Sequence, residues 1–207
     1  MNAFACPVLR TGNFLERAGD AVPALQQALL EAARRAGGHP NSYEPDLRRL
    51  MSWFSRGADG WELREDPEFE TNPRRLVVVE VDNDGTGWLV CGWIAEPARP
   101  EGGPLGIFEL IAAGNLASFV ALMGQLAASA GYVGPIGVGV ILRKIEGGIS
   151  ASVRLPWPEQ YRSDVYRATQ RVAWASTLQE RPEEVALGLL RRLFDVLLPG
   201  RDFDPFA

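Results

Sequence analysis

The sequence of 207 residues has few of the side chains that most often carry chemistry. It contains one histidine, His39, one lysine, Lys144, and two cysteines, Cys6 and Cys91. These are too few for a common zinc ligand set or for the disulfide framework of a small secreted domain. His39 stands between Gly38 and Pro40, a pattern that predicts a loop, and it is far along the chain from any serine or cysteine that looks activated. We therefore expect no catalytic residue, no metal site, no cofactor and a cytoplasmic location.

Positive charge is also scarce. The formal net charge is −5 and the isoelectric point is near 5.1. Nucleic-acid affinity depends on clustered cations that neutralise phosphates, so we expect no nucleic-acid partner. All basic residues except one are arginines, and arginine pairs are scattered among carboxylates. This bias suggests a bacterial genome rich in G and C.

Long uninterrupted apolar runs are absent. Residues 110–142 carry no charge, but polar side chains, a proline and several glycines interrupt them. A membrane-spanning helix needs about 20 predominantly apolar residues. The stretch therefore predicts a buried helix followed by a buried strand, and the chain start lacks the pattern of a signal peptide.

The patterns that are present predict an α+β fold with a mostly antiparallel sheet. An N-terminal helical part, residues 1–58, has helices over 20–36 and 44–55. A connection, residues 59–73, has a short strand over 61–64 and leads to an α+β domain over 74–207, unless the whole is one continuous domain. Hydrophobic periodicity and turn signals assign that domain a series of elements: strands 75–81 and 88–95, a central helix 113–130 stopped by Gly131, a second hairpin 138–145 and 149–155, a segment 165–177 that fits both a strand and a helix and whose composition favours a strand, and a last helix 182–198.

The stretch DNDGTG, residues 82–87, can be interpreted in two ways. An apolar strand followed by D-x-D-G-T is typical of haloacid-dehalogenase phosphotransferases, in which the residue at Asp82 would be a nucleophile and Mg²⁺ would assist. However, another strand follows within a few residues here, whereas that fold uses crossover helices. Asn-Asp-Gly between two β-rich runs is a preferred hairpin turn. We expect Asp82 and Asp84 to be turn residues.

Three aromatic residues are candidates for an interaction surface. Trp157 lies between two prolines in L-P-W-P-E, so it either anchors its own loop or is exposed to a partner. Phe203 and Phe206 lie in the tail GRDFDPFA, which either packs on its own domain or docks on another protein. The central helix has a second, small-residue side at Ala117, Ala121 and Gly124, which predicts a closely approaching neighbour or the wall of a small-molecule pocket.

Residues 76–198 combine the turn at Asp84-Gly85, the Ala/Leu helix running into Gly131, a strand from Val138, and the segments Y-R-A-T-x-R-V and P-E-E-V-A-x-x-L. In these features they resemble the C-terminal region of actinobacterial putative ATP-binding proteins that carry a Schlafen-type AlbA-2 domain. The AlbA-2 domain itself is absent from this sequence. The resemblance thus implies an accessory region and assigns no functional residue.

These observations favour a non-catalytic protein-interaction domain, an accessory or chaperone-like subunit of a bacterial assembly. Its partner would be another protein or a second copy of the chain. A small-molecule or nucleotide-binding sensor domain is the first alternative. A magnesium-dependent phosphotransferase using Asp82 is the second.

Overall fold

A computed structural model describes residues 1–8, 53–56, 60–64, 77–92, 94–97, 103–153 and 155–206. The secondary structure of these residues comprises ten strands and three helices. The strands are β1 (Asn2–Pro7), β2 (Trp53–Arg56), β3 (Gly60–Arg64), β4 (Val77–Asp82), β5 (Gly87–Cys91), β6 (Ala95–Pro97), β7 (Leu105–Ile107), β8 (Ile136–Arg143), β9 (Ile149–Ser150) and β10 (Val165–Val172). The helices are α1 (Glu109–Ser129), α2 (Ala175–Glu180) and α3 (Pro182–Leu197).

Seven strands form one sheet in the order β10-β8-β1-β5-β4-β3-β2, and every neighbouring pair is antiparallel. This confirms the α+β class and the mostly antiparallel sheet. Strand β1, which the sequence analysis did not predict, lies between β8 and β5. Strands β2 and β3 continue the same sheet, so the sheet crosses both predicted boundaries, at residues 58 and 73.

The turn between β4 and β5 is the predicted hairpin. Strand β4 is rich in valine, which favours extended backbone. The amide of its last residue, Asp82, donates a hydrogen bond of 2.8 Å to the Thr86 carbonyl. Gly85 has a φ of 85°, which glycine adopts without steric cost. The Asp84 side chain accepts a hydrogen bond of 2.8 Å from the Thr86 amide.

The predicted second hairpin, 138–145 with 149–155, is wrong. Strand β9 does not pair with β8 but lies parallel to β7 in a separate three-stranded sheet, β6-β7-β9. Positive φ values at Lys144, 59°, and Gly147, 73°, turn the chain out of the large sheet after β8. The next strand along the chain that pairs with β8 is β10.

Helix α1 is the buried helix that the uncharged stretch predicted. It is long and apolar enough to cross a membrane, but 89% of its most apolar 18-residue segment is buried inside the protein. It ends as predicted, because Gly131 has a φ of 65° and its amide donates to the Ala128 carbonyl. The helix packs against the sheet on one side and against α2 and α3 on another.

The common core lies between the sheet and the three helices. Alternate residues of the central strands point into it, in the pattern expected for a sheet with one covered face. They include Ala3, Ala5, Val79, Val81, Leu89, Val138, Val140 and Leu142. Helix α3 contributes an apolar stripe to the same core: Val185, Leu189, Leu190, Leu193, Phe194 and Leu197.

Three further predictions have different outcomes. The last helix is confirmed, with Pro182 in its first turn. The strand predicted over 165–177 ends at Val172, and its last residues belong to α2. The helix predicted over 44–55 is wrong at residues 53–55, which lie in β2, and the rest of it lies outside the described residues, as does the helix 20–36.

Candidate binding groove at the sheet edge

Strand β10 is the outermost strand on its side of the large sheet, among the strands that the structure describes. It pairs with β8 from Val165 opposite Arg143 to Val172 opposite Ile136. In an antiparallel ladder, every second residue of an edge strand directs its N–H and C=O groups away from its only neighbour. Most of the side chains from Arg167 to Arg171 are exposed. The strand therefore offers backbone hydrogen-bonding groups along an open edge.

A groove of about 340 Å³ lies between β10 and α3. Its lining consists of Tyr166, Arg167, Ala168, Thr169, Gly188 and Arg192. The lack of a side chain at Gly188 leaves room in the groove between α3 and β10. A Cβ atom at that position would lie only 3.1 Å from the Oε1 atom of Gln170. With two arginines and the edge of a strand in its wall, the groove differs from the mostly apolar pockets that enclose small ligands.

Three exposed arginines border this groove and the edge beside it. Arg167 and Arg171 share one face of β10, because side chains two and four residues apart in a strand point to the same side. Arg192 lies on α3, one helical turn after Gly188. Within the described part of the chain, none of these three makes an ion pair. Arg191 differs, since it contacts the carboxylates of Asp195, at 3.6 Å, and Asp202, at 3.2 Å.

Tyr166 attaches β10 to α3 at the base of the groove. Its hydroxyl donates a hydrogen bond to the backbone carbonyl of Leu189, and only 5% of the residue is exposed. Burial raises the pKa of Tyr166 to about 12, and the nearby Tyr161, whose ring centroid is 6.3 Å away, adds to the shift. The phenol is therefore neutral near pH 7, and its hydroxyl group already donates its hydrogen bond to the Leu189 carbonyl. Among the residues that the structure describes, the groove lining includes no carboxylate, imidazole or thiol.

Of the three aromatic residues singled out in the sequence, Trp157 is 90% exposed and lies outside the helices and strands. Trp174, which follows β10 closely, is also 64% exposed. Phe203 and Phe206 are half-buried against the core. The Phe203 ring contacts Phe194 of α3 edge to face, with centroids 5.4 Å apart. Arg191 of α3 also forms an exposed ion pair with Asp202 of the same tail, at 3.2 Å.

The small-residue side of α1 does not line the groove. A Cβ at Gly124 would lie 2.5 Å from the backbone nitrogen of Gln179 and 2.7 Å from the carbonyl carbon of Leu178. The expectation of a closely approaching neighbour is confirmed, and that neighbour is α2. Ala117 and Ala121 are buried as well, at 4% and 7% exposure.

Asp82 lies in a hairpin between antiparallel strands, which is not the strand-to-helix crossover that its motif requires in phosphotransferases. No group of three or more His, Cys, Asp or Glu residues that could hold a metal ion occurs in the described ranges.

Glu109, at the start of α1, is a carboxylate with no exposure to solvent. Its Oε2 atom accepts hydrogen bonds from the Ser152 hydroxyl, at 2.7 Å, and from the Ser152 amide, at 3.2 Å. Its Oε1 atom has no hydrogen-bond partner among the residues described. These bonds tie the segment after β9 to α1, which is a structural role.

A second exposed surface lies on the sheet face away from the helices. Trp88 and Val90 of β5 are 44% and 40% exposed there. The ring of Phe4, from the neighbouring β1, lies 5.8 Å from that of Trp88, measured between centroids. It also lies across Gly139 of β8, where a Cβ would approach the Phe4 ring to 2.3 Å. This surface is apolar and, unlike the groove, has no strand edge within it.

Comparison of the chain with protein-family models, with curated proteins and with solved structures gave no match. The groove is therefore interpreted from its own residues.

Sequence reasoning predicted β10 as a strand but missed its position at the edge. A usable signal was present in V-Y-R-A-T-Q-R-V. Charged side chains recur along one face of the strand, as is common where natural proteins protect sheet edges. The contribution of Gly188 and Arg192 has no counterpart in the pattern of β10, since those residues reach the groove only through the packing of α3.

Proposed function

We propose that this chain is a non-catalytic protein-interaction domain that binds a segment of another protein at the β10 edge. The observation that carries the proposal is the exposed edge of β10 beside a groove whose arginines have no carboxylate partner among the described residues. Edge strands with free hydrogen-bonding groups are common sites for peptide recognition. An accessory or chaperone-like role in a bacterial cytoplasmic assembly is consistent with such a surface.

The aromatic residues support the same proposal. Exposed tryptophans are enriched at protein interfaces because a large apolar ring gains much from burial. Trp174 lies two residues after the end of β10, and Trp157 lies in the segment between β9 and β10. Phe203 and Phe206 are already packed on the protein itself, so they are weaker candidates for direct contact.

Site-specific photo-cross-linking tests this function. A photoreactive residue at the exposed Gln170 of β10 should cross-link the chain to a partner in the cells that produce it. The same residue at the exposed Asn83, in the β4–β5 turn, is the matched control and should give no such product. Cross-linking from Val90 but not from Gln170 would assign the interaction to the opposite sheet face.

Size-exclusion chromatography with light scattering separates partner binding from self-association. A cross-linked product of twice the chain mass from the purified protein would identify a second copy as the partner. A monomer that forms no product from either position in cells would contradict an interaction function.

A small-molecule sensor is the alternative, since 340 Å³ is enough for a small ligand. A thermal-shift screen with nucleotides and anionic metabolites should then show stabilisation by mass action. Loss of that stabilisation in Arg192→Gln, but not in Arg191→Gln, would place the ligand in the groove.

A further inference from the structure

Arg167, Arg171 and Arg192, which form no ion pair with any residue that the structure describes, restrict the chemistry of the partner of β10. We infer that the β10 edge takes an extended acidic segment of another protein, which adds to the large sheet as a further strand. This inference rests on the proposed function and names the partner's chemical class. It depends on three observations: the edge of β10 that no described strand covers, the groove beside it and the charge that borders both.

Backbone geometry sets how such a segment would lie. An added strand would hydrogen-bond to the outward-facing N–H and C=O groups of β10, which supplies affinity without dependence on sequence. Its side chains would alternate between the two faces of the sheet. On one face they would lie beside the side chains of Arg167, Thr169 and Arg171, of which the first two residues also line the groove. On the other they would enter the groove above Ala168 and Gly188.

Charge complementarity selects carboxylates for the first face. Arg167 and Arg171 are four residues apart, so they are separated by roughly 13 Å along the strand. Carboxylates at alternate positions of the added strand would come within reach of both. Guanidinium groups bind carboxylates by paired hydrogen bonds, which are stronger than bonds between neutral groups. Arg192 offers a further positive charge on the groove side.

A second copy of β10 is a poorer occupant. An antiparallel pair of β10 strands centred on Thr169 would place Arg167 of each copy opposite Arg171 of the other. A pair centred on either arginine would place that residue opposite its own copy. Like charges directly opposite each other destabilise a strand pair. An acidic strand removes this repulsion in every register, so it fits the edge better than the chain's own strand does.

Peptide binding tests the inference directly. The probe is a labelled peptide about as long as β10, in which glutamate alternates with valine or threonine; the matched control has glutamine in place of glutamate. Fluorescence anisotropy should show binding of the acidic peptide that weakens with added salt. The glutamine peptide should bind at least about tenfold more weakly.

Variants locate the site, and all are at exposed positions. Arg167→Gln with Arg171→Gln should weaken binding of the acidic peptide by about tenfold or more, and Arg192→Gln by several-fold. Arg191→Gln removes the same charge from the adjacent residue, which already has two carboxylate partners, and should leave binding within about twofold of the unaltered protein. Amide hydrogen exchange should slow in β10 when the peptide is bound.

Other results would overturn the inference: no binding, equal binding of the two peptides, or protection of β5 in place of β10. The same holds if Arg191→Gln is as harmful as Arg192→Gln, or if a single-stranded oligonucleotide occupies these arginines more tightly than the peptide. Failure here with cross-linking from Gln170 intact would reject the acidic strand but leave the interaction function standing. Failure of both would reject the function itself.

Discussion

Helices α1 and α3 cover the same face of the sheet but meet their surroundings differently. Helix α1 is buried on nearly every side, from Glu109 to Ala127. Helix α3 buries one stripe and leaves the other side to solvent and to the groove. Each contains a glycine, Gly124 in α1 and Gly188 in α3. Gly124 allows α1 to contact the backbone of α2, whereas Gly188 leaves space in the groove beside β10. Glycine at position 124 is therefore required for packing in the core, whereas glycine at position 188 lies at a surface where a ligand can bind.

The largest expected effect comes from Gly124→Ala. The new methyl group would collide with the backbone of α2, which cannot move aside as a flexible side chain would. We expect a net loss of about 2 kcal/mol in the free energy of unfolding, although alanine favours a helix over glycine. Urea unfolding followed by circular dichroism measures the change. An increase in stability would show that α1 and α2 are not in close contact.

The second effect concerns the attachment of β10 to α3. Tyr166→Phe removes the hydroxyl that donates to the Leu189 carbonyl, and a hydrogen bond of this kind contributes about 1 kcal/mol. Urea unfolding should report a loss of that size.

The same tyrosine gives a pH dependence whose sign follows from its pKa. Because the folded-state pKa is about 12 and the usual value is 10, the neutral phenol favours folding. This contribution is complete below pH 10 and is lost as the pH rises through about 12. The tyrosinate absorbance should show one group that ionises late, and that group should be missing from Tyr166→Phe. If all tyrosines titrate together near pH 10 in the folded protein, the burial of Tyr166 is wrong.

The third effect has the opposite sign to that of Gly124→Ala. Gly188→Ala makes the identical substitution in α3, where the new Cβ meets only the end of the flexible Gln170 side chain. We expect a gain of about 0.5–1 kcal/mol from helix propensity. The pair of alanine variants, compared in one urea titration, sharpens the contrast between the helices. Equal losses at both positions would remove it.

The smallest effect is expected from Arg191→Gln. Its ion pairs with Asp195 and Asp202 are at the surface, where such pairs contribute between about 0 and 1 kcal/mol. The variant should unfold within about 0.5 kcal/mol of the unaltered protein, which makes it a sound control for the binding experiments. A larger loss would show that the Asp202 contact holds the tail, with Phe203, on α3.

Local patterns were sufficient for several elements. The valines of β4, the Asn-Asp-Gly turn and the glycine that ends α1 each act through neighbours in the chain, so their conformations follow from local sterics and turn chemistry. The same holds for Pro182 at the start of α3. The apolar stretch before Gly131 predicted burial because a helix that is apolar on all sides must be surrounded by protein.

Partners distant in the chain were not accessible to the same reasoning. The sequence places β9 just after β8, and the Glu146-Gly147-Gly148 turn signal between them favoured a hairpin. The positive φ values at Lys144 and Gly147 direct β9 to β7 instead, and only the three-dimensional packing reveals this. Strand β1 was missed because its short, mildly apolar stretch gains its place from β5 and β8 on either side.

By itself, the sequence determined the fold class, the buried central helix and the hairpin turn that follows Asp82, because periodicity and turn residues act over a few positions. It also determined the scarcity of groups that perform catalysis. Only the tertiary structure decided that β10 lies at the edge among the described strands, and that Gly188 and Arg192 face it. A groove is a relation between surfaces far apart in the chain, and it exists only once long-range packing has brought them together.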